Sequence, residues 1–248
     1  MWPYPRVIAH RGGGILAPEN TMAGLRRGLE LGYRGVEFDV MLSRDGVPVL
    51  MHDQQFGRTI AGRGNVAETL AKDLMRMDAG TWFSPAFAGE TVPGFAEAFD
   101  FCAQNSLWMN VEIKPADGHA TRTGSAVAEV VAGRLAQFPS RAAQPLLSSF
   151  SLDALAAARA TAPQLALALL VREIPPDWQD ALRGLNAVAL HVSQRHLRAQ
   201  QVAEVRAAGY GVFCYTVNDV ARARELFSWG VDAFCTDRLD LIRPDFTG

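Results

Sequence analysis

The sequence predicts an α/β protein, specifically a (β/α)₈ TIM-type barrel, and two observations predict it. Short apolar or β-branched runs alternate with helix-patterned stretches, the signature of βαβ units on a parallel sheet. About eight such units fill the 248 residues with no linker between them, which is the usual size of a barrel. One stretch, Asp53 to Pro93, breaks the rhythm and reads as an insertion after a hairpin. An open doubly wound sheet is the competing arrangement, and the number of units favours closure.

Taken in order, the first strand is Val7–His10, and the His10-Arg11-Gly12-Gly13-Gly14 run that ends it makes a tight strand exit. Thr21–Leu31 has the alanine, leucine and arginine content of a helix and stops at Gly32. Gly35–Met41 and Val47–His52 form the hairpin. The insertion that follows is rich in Gly, Pro, Thr and aromatic residues, with one brief helical piece, Ala67–Met75. Loops this long are usually functional, and it is expected to cover one mouth of the barrel. The strands Trp108–Ile113, Leu146–Phe150, Ala166–Val171, Ala187–Val192, Gly211–Val217 and Asp232–Thr236 come next. Among them lie the helical segments Ser125–Gln137, Leu152–Ala160, Arg198–Ala208 and Val220–Trp229, the last two stopped by Gly209 and Gly230. The whole chain, 1–248, is expected to be one domain.

Composition removes several classes of function. A net charge of −2 gives no electrostatic reason for a nucleic-acid or anionic-membrane partner. Cys102, Cys214 and Cys235 are far apart and form no Cys-x-x-Cys pair. That argues against a disulfide framework or a thiolate zinc site and suits a reducing compartment. With no apolar signal region at the start and no run long enough to span a bilayer, the expectation is a cytoplasmic protein. Base rates alone point to a homodimer.

The chemistry sits at the strand ends. His10 and Arg11 close the first strand, Glu37 and Asp39 lie in the second, His52 ends the hairpin, and Glu112 and Lys114 end the strand after the insertion. Side chains at i and i+2 share a face, so Glu37 projects with Asp39, and Glu112 with Lys114. Barrel enzymes place their sites where such strand ends converge. Three carboxylates facing one cavity either stay protonated or bind a cation. An all-oxygen set points to a hard ion, magnesium or calcium. Arg11 and Lys114 add fixed positive charge, Arg11 with a fork suited to phosphate. His10 and His52, near an ordinary pKa of about 6.5, can move protons near neutral pH.

Each piece alone has a plainer reading. A lone Glu-x-Asp is most often a surface or salt-bridge pair, and Glu-x-Lys likewise. It is their arrival together on successive apolar strands that points to a site. His119 and His196 sit in polar surroundings and read as solvated. His191 reads equally as a pocket or a core histidine. Ser149, Phe150, Thr216, Asn218, Thr236 and Asp237 are candidate pocket residues, and Thr236-Asp237 equally a helix cap. Trp82 and Phe83 read equally as the insertion's own core or as a wall over the site.

These segments, in order, resemble the glycerophosphodiester phosphodiesterases. The matching runs include Ala9-His10-Arg11-Gly12, Pro18-Glu19-Asn20-Thr21, Val36-Glu37-Phe38-Asp39-Val40, Val49-Leu50-Met51-His52-Asp53, Arg58-Thr59, Asn110-Val111-Glu112-Ile113-Lys114, Tyr215-Thr216-Val217-Asn218 and Cys235-Thr236-Asp237. The resemblance is closest to the short cytosolic bacterial enzymes associated with glycerol-3-phosphate uptake. It implies a barrel with a small insertion after the second strand. It implies Glu37, Asp39 and Glu112 as ligands of one divalent cation (Mg²⁺ or Ca²⁺), and His10 and His52 as the acid–base pair. Arg11 matches the phosphate-contacting arginine, Lys114 lines the site, and Glu19 and Asn20 match a motif at the barrel mouth. The implied reaction releases sn-glycerol 3-phosphate and an alcohol such as choline or ethanolamine from a glycerophosphodiester, with a cyclic phosphate as one route. Tyr215 stands where many members carry tryptophan. The alternatives are a magnesium-dependent lyase or aldolase on the same barrel, against which His52 argues, and a non-catalytic phosphoester-binding protein.

Overall fold

A computed structural model of the chain describes residues 2–138 and 144–247; Met1, 139–143 and Gly248 lie outside the described residues. The strands are β1 (Val7–Ala9), β2 (Gly35–Leu42), β3 (Pro48–Leu50), β4 (Trp108–Ile113), β5 (Leu146–Ser149), β6 (Ala166–Val171), β7 (Ala189–Ser193), β8 (Gly211–Tyr215) and β9 (Ala233–Thr236). They run in the order β1-β9-β8-β7-β6-β5-β4-β2-β3, and a further β1–β2 pairing closes the barrel. Every pairing is parallel except that of β3, which lies antiparallel on β2. The fold is therefore the closed (β/α)₈ barrel, with β3 belonging to the insertion.

The helices are α1 (Met22–Glu30), α2 (Ala71–Leu74), α3 (Phe95–Gln104), α4 (Ala120–Leu135), α5 (Leu152–Thr161), α6 (Trp178–Leu185), α7 (Ala199–Ala207) and α8 (Val220–Ser228). Two of them, α3 and α6, were not among the expected elements. In α3, Phe95, Phe99 and Cys102 bury one face of a helix beginning just after Pro93. In α6, Trp178, Leu182 and Leu185 do the same after the Pro175-Pro176 pair, and Asn186 ends it at φ 47°. Proline at each entrance masks an amphipathic pattern that is short but sufficient. The helical piece expected over Ala67–Met75 is two pieces, a 3₁₀ turn over Val66–Glu68 and α2. Helix α4 begins earlier than expected because Gly124, a poor helix former, lies inside it at a close crossing. A Cβ there would stand 2.0 Å from the Ala154 carbonyl oxygen of α5.

Two layers of core result. Residues such as Phe38, Val111, Leu147, Leu190 and Val212 pack outward against the helices. Ile8, Trp108, Leu146, Ala168, Ala189, Phe213, Ala233 and Cys235 fill the barrel interior. At its N-terminal end, Tyr4 stacks on Trp108 with ring centroids 4.6 Å apart, and Trp2 meets Tyr4 edge-on at 5.0 Å. The insertion has its own core around Met51, Ile60, Val66, Leu74 and Val92. Trp82 is 41% exposed and joins Phe83 and Phe87 in an aromatic cluster, which resolves its two readings toward the insertion's own packing. The three cysteines are free and buried. Among the described residues no helix is long and apolar enough to cross a membrane.

The expectation that the insertion covers a barrel mouth is corrected. It lies along the rim, where Glu90 accepts from the Ala23 amide of α1 at 2.7 Å and Gln54 donates to Asp117 at 3.3 Å. No residue from 53 to 93 lines the central cavity.

Candidate active site

The C-terminal strand ends open into a cavity of about 1350 Å³, lined by His10, Arg11, Glu37, His52, Glu112 and Lys114 on one side. Phe150, Arg172, Tyr215, Thr216 and Asn218 line the other. Phe150 is 47% exposed and meets Tyr215 edge-on at 5.8 Å. His10, His52, Phe150 and Thr216, expected inside strands, stand just beyond them. Each leaves the ladder at the point where its side chain faces the cavity.

The exit from β1 shows how the backbone builds the site. His10 still donates its amide to Thr236 at 3.0 Å, after which Arg11 turns into the left-handed region at φ 49° and Gly12 follows at 86°. That turn aims the Arg11 amide at Glu37 Oε2, 3.0 Å away. A side chain at Gly12 would put Cβ 2.8 Å from the α1 backbone, so only glycine lets the loop lie this close. Asn20, also left-handed at φ 54°, exchanges two hydrogen bonds with Asp39: its amide donates at 2.9 Å and its carbonyl accepts from the Asp39 backbone at 3.1 Å. Such strain is found where surrounding contacts over-determine a site.

Glu37, Asp39 and Glu112 each offer a carboxylate oxygen within 4.8 Å of the others. Lys114 Nζ donates to Asp39 at 3.1 Å and stands 3.5 Å from Glu112, while Arg11 Nε is 3.4 Å from Asp39. Burial raises all three carboxyls, but Lys114 and Arg11 hold Asp39 well below the usual range. Glu112 is pushed up to about 8 by burial and by its neighbours Asp39 and Glu37. Glu37 is raised as well, chiefly by burial. Two fixed cations thus do not neutralise three acids. The shortfall, the oxygen-only donors and their spacing fit a hard divalent cation.

The two histidines are built alike. His10 Nδ1 donates to Asp237 Oδ1 and His52 Nδ1 to Asp53 Oδ1, each at 2.5 Å. A carboxylate can only accept, so each pair fixes the proton on Nδ1 and leaves Nε2 for the cavity. Asp237 is itself held by Asn218, which donates to its Oδ2 at 2.8 Å. Burial lowers the pKa of His10, but Glu37 and Asp237 outweigh it and the net shift is upward. Burial also lowers His52, and there Arg11 and Lys114 keep the net shift downward against Asp39.

Sequence reasoning placed Asp237 only as a pocket or cap residue and passed over Asp53. Both are partners of the histidines, and the signal available was an acidic residue beside each predicted strand end. Glu19, expected in the pocket, does not line it; Arg11 Nη1 donates to it at 2.8 Å, as does Arg58 through two bonds. His196 lines the mouth, 3.7 Å from Glu173. His191 lies in the barrel interior at 0% exposure, stacked on Phe213 at 4.5 Å with both ring nitrogens unpartnered.

Comparison with known proteins adds the following. The sequence model of the glycerophosphoryl diester phosphodiesterase family matches residues 10–241. A glycerophosphodiester phosphodiesterase of Caldanaerobacter subterraneus is 33% identical over 232 residues, covering 93% of each chain. The crystallised phosphodiesterase of Oleispira antarctica, in complex with the product sn-glycerol-3-phosphate, is 39% identical with a TM-score of 0.89, covering 94% of this chain and 93% of its own. A glycerophosphodiester phosphodiesterase of Agrobacterium tumefaciens superposes with a TM-score of 0.75 at 25% identity, covering 98% of both chains.

Proposed function

The chain belongs to the glycerophosphoryl diester phosphodiesterase family and is an enzyme of that class, and from that premise we propose that it hydrolyses glycerophosphodiesters to sn-glycerol 3-phosphate and an alcohol with a divalent cation and two histidines. The observation that carries the reading is the pair of aspartate-oriented imidazoles beside a three-carboxylate cluster in one cavity. Glu37, Asp39 and Glu112 would hold the cation, magnesium or calcium. When bound it supplies positive charge that polarises a phosphoryl oxygen. Arg11 and Lys114 would add fixed charge around the same phosphoryl group.

In the first half-reaction the neighbouring glycerol hydroxyl attacks phosphorus. Its proton goes to one imidazole Nε2, the P–O bond to the head-group alcohol breaks, and the other imidazole protonates the departing oxygen. The product is a cyclic phosphate. In the second, water opens the ring with the imidazole roles reversed, leaving sn-glycerol 3-phosphate. The intramolecular attack gains from proximity.

Our reading takes His10 as the base and His52 as the acid. The raised pKa of His10, whose chief upward source is Glu37, runs against a base. Glu37, if it held the cation, would exert less of that upward pull on His10. The lowered pKa of His52, set by burial with Arg11 and Lys114, runs against an acid. The assignment is tested by the leaving-group dependence of His52→Ala.

The test is release of glycerol 3-phosphate from glycerophosphocholine and glycerophosphoethanolamine with magnesium, with calcium and with a chelator, beside Glu37→Ala. Metal-dependent release, lost in the variant, is expected. No release under any metal would refute the substrate class. A substrate with hydrogen in place of the adjacent hydroxyl should not turn over, and unchanged turnover would rule out the cyclic route.

A further inference from the structure

The rim insertion contributes one side chain whose bonds reach both halves of the site. Arg58 donates through Nη1 and Nη2 to the two carboxylate oxygens of Glu19, at 2.6 and 2.7 Å. Its Nε donates to Asp53 Oδ2 at 2.6 Å, and Asp53 Oδ1 takes the Nδ1 proton of His52 at 2.5 Å. Glu19 is in turn bonded by Arg11 at 2.8 Å, and Arg11 stands against Asp39. One guanidinium therefore uses all three of its nitrogens to join the orienting acid of His52 to the acid that holds Arg11.

We propose that Arg58 is a positioning residue for His52, acting through Asp53. The proposal rests on the acid–base role given to His52 above. The geometry argues for it in two ways. Asp53 has two oxygens, and a carboxylate beside an imidazole can rotate until either one accepts. Arg58 Nε occupies Oδ2, so only Oδ1 is presented to His52, and the ring plane is fixed with it. Arg58 itself is fixed because its fork spends both terminal nitrogens on Glu19, a geometry that lysine cannot copy. His52 follows the short strand β3 and immediately precedes the insertion that carries Arg58.

A plain structural role, stapling the insertion to the barrel, makes the same contacts but predicts different kinetics. The discriminating substrates are glycerophosphoethanolamine, whose departing alkoxide needs a proton, and glycerophospho-p-nitrophenol, whose nitrophenolate leaves without one. Arg58→Ala is expected to lower kcat on the ethanolamine ester by roughly 10–100-fold, by analogy with the cost of removing the outer partner of a metal-bound histidine. KM should change little, and the nitrophenyl ester should be largely spared. His52→Ala should show the same selectivity at a larger amplitude. In the His52→Ala background, Arg58→Ala should cost nothing further, since the two act on one group. Arg58→Lys, which keeps the charge without the fork, should recover only part of the loss, and it carries the test if the alanine variant does not fold.

Equal losses on both esters while His52→Ala discriminates between them would overturn the proposal, as would a further loss in the double variant. If His52→Ala itself shows no discrimination, the acid role of His52 fails, and the double variant alone decides for Arg58. A readout independent of turnover is the imidazole nitrogen NMR spectrum. It should report the Nδ1–H tautomer of His52 in the parent protein and a mixture in Arg58→Ala. An unchanged spectrum would leave Arg58 no positioning role even if neither ester is cleaved.

Discussion

Asp237 lies 227 residues from the histidine it orients. Sequence position gave no reason to pair them; only barrel closure, which sets β9 beside β1, does so. The metal-candidate acids were easier to find, because Glu37, Asp39 and Glu112 interrupt runs that otherwise read apolar. Asp237→Asn keeps the shape and removes the charge that stabilises the Nδ1 proton. It should cut kcat by between roughly tenfold and the 10⁴-fold that the same change causes in a Ser-His-Asp triad. Steady-state kinetics with the melting temperature as a fold control would check this. His191 makes a second test. Burial pushes its pKa down to about 3, below the unfolded value of about 6.5. The folded state therefore keeps it neutral where the unfolded chain takes a proton. Stability is complete above the unfolded value and falls with pH through that window, by up to about 1.4 kcal/mol per pH unit. His191→Leu should flatten the acid side of the stability curve and leave neutral-pH stability equal or higher, since it removes two unpartnered nitrogens. Urea titrations at several pH values measure both effects.

At the scale of elements, alternation was legible wherever a segment carried its own periodicity. It was not legible for α3 and α6, whose faces are short and follow proline, nor for the start of α4. There propensity and packing oppose each other at Gly124, and packing wins. Gly124→Ala tests the balance. Alanine offers about 1 kcal/mol in helix propensity, but its Cβ would meet the Ala154 backbone oxygen at 2.0 Å. Backbone cannot rotate away as a side chain can, so the net effect should be destabilisation of about 1–3 kcal/mol. Chemical denaturation reads it directly, and a more stable variant would show that the α4–α5 crossing has room. The insertion's place was half legible: its borders were clear in composition, but its path along the rim is fixed by single contacts such as Glu90 to the α1 amide.

For the whole molecule, three acids against two fixed cations leave the folded barrel short of positive charge, and Glu112 raised to about 8 is the mark of it. A ligand that binds only the folded state stabilises it by mass action, about 2.7 kcal/mol at a hundred times its dissociation constant. Magnesium or calcium should therefore raise the melting temperature of chelator-treated protein, and Glu112→Gln should reduce the rise. No shift with either ion would argue against a cation on these carboxylates. Closure of the barrel itself was legible from the number of strand–helix units. What those units do at the far end was not, because Trp2 and Tyr4 precede the first strand and carry no periodic signal. Their stack on Trp108, under a packed interior layer, fills that end, so that among the described residues the cavity opens at the C-terminal strand ends. On the proposed reaction, substrate, both products and the hydrolytic water would share that opening. On the cyclic route, the head-group alcohol must back out before water can reach the ring, so the order of events is set by traffic as much as by chemistry. On that same proposed route, an alcohol lingering at the threshold would attack in place of water and remake a diester.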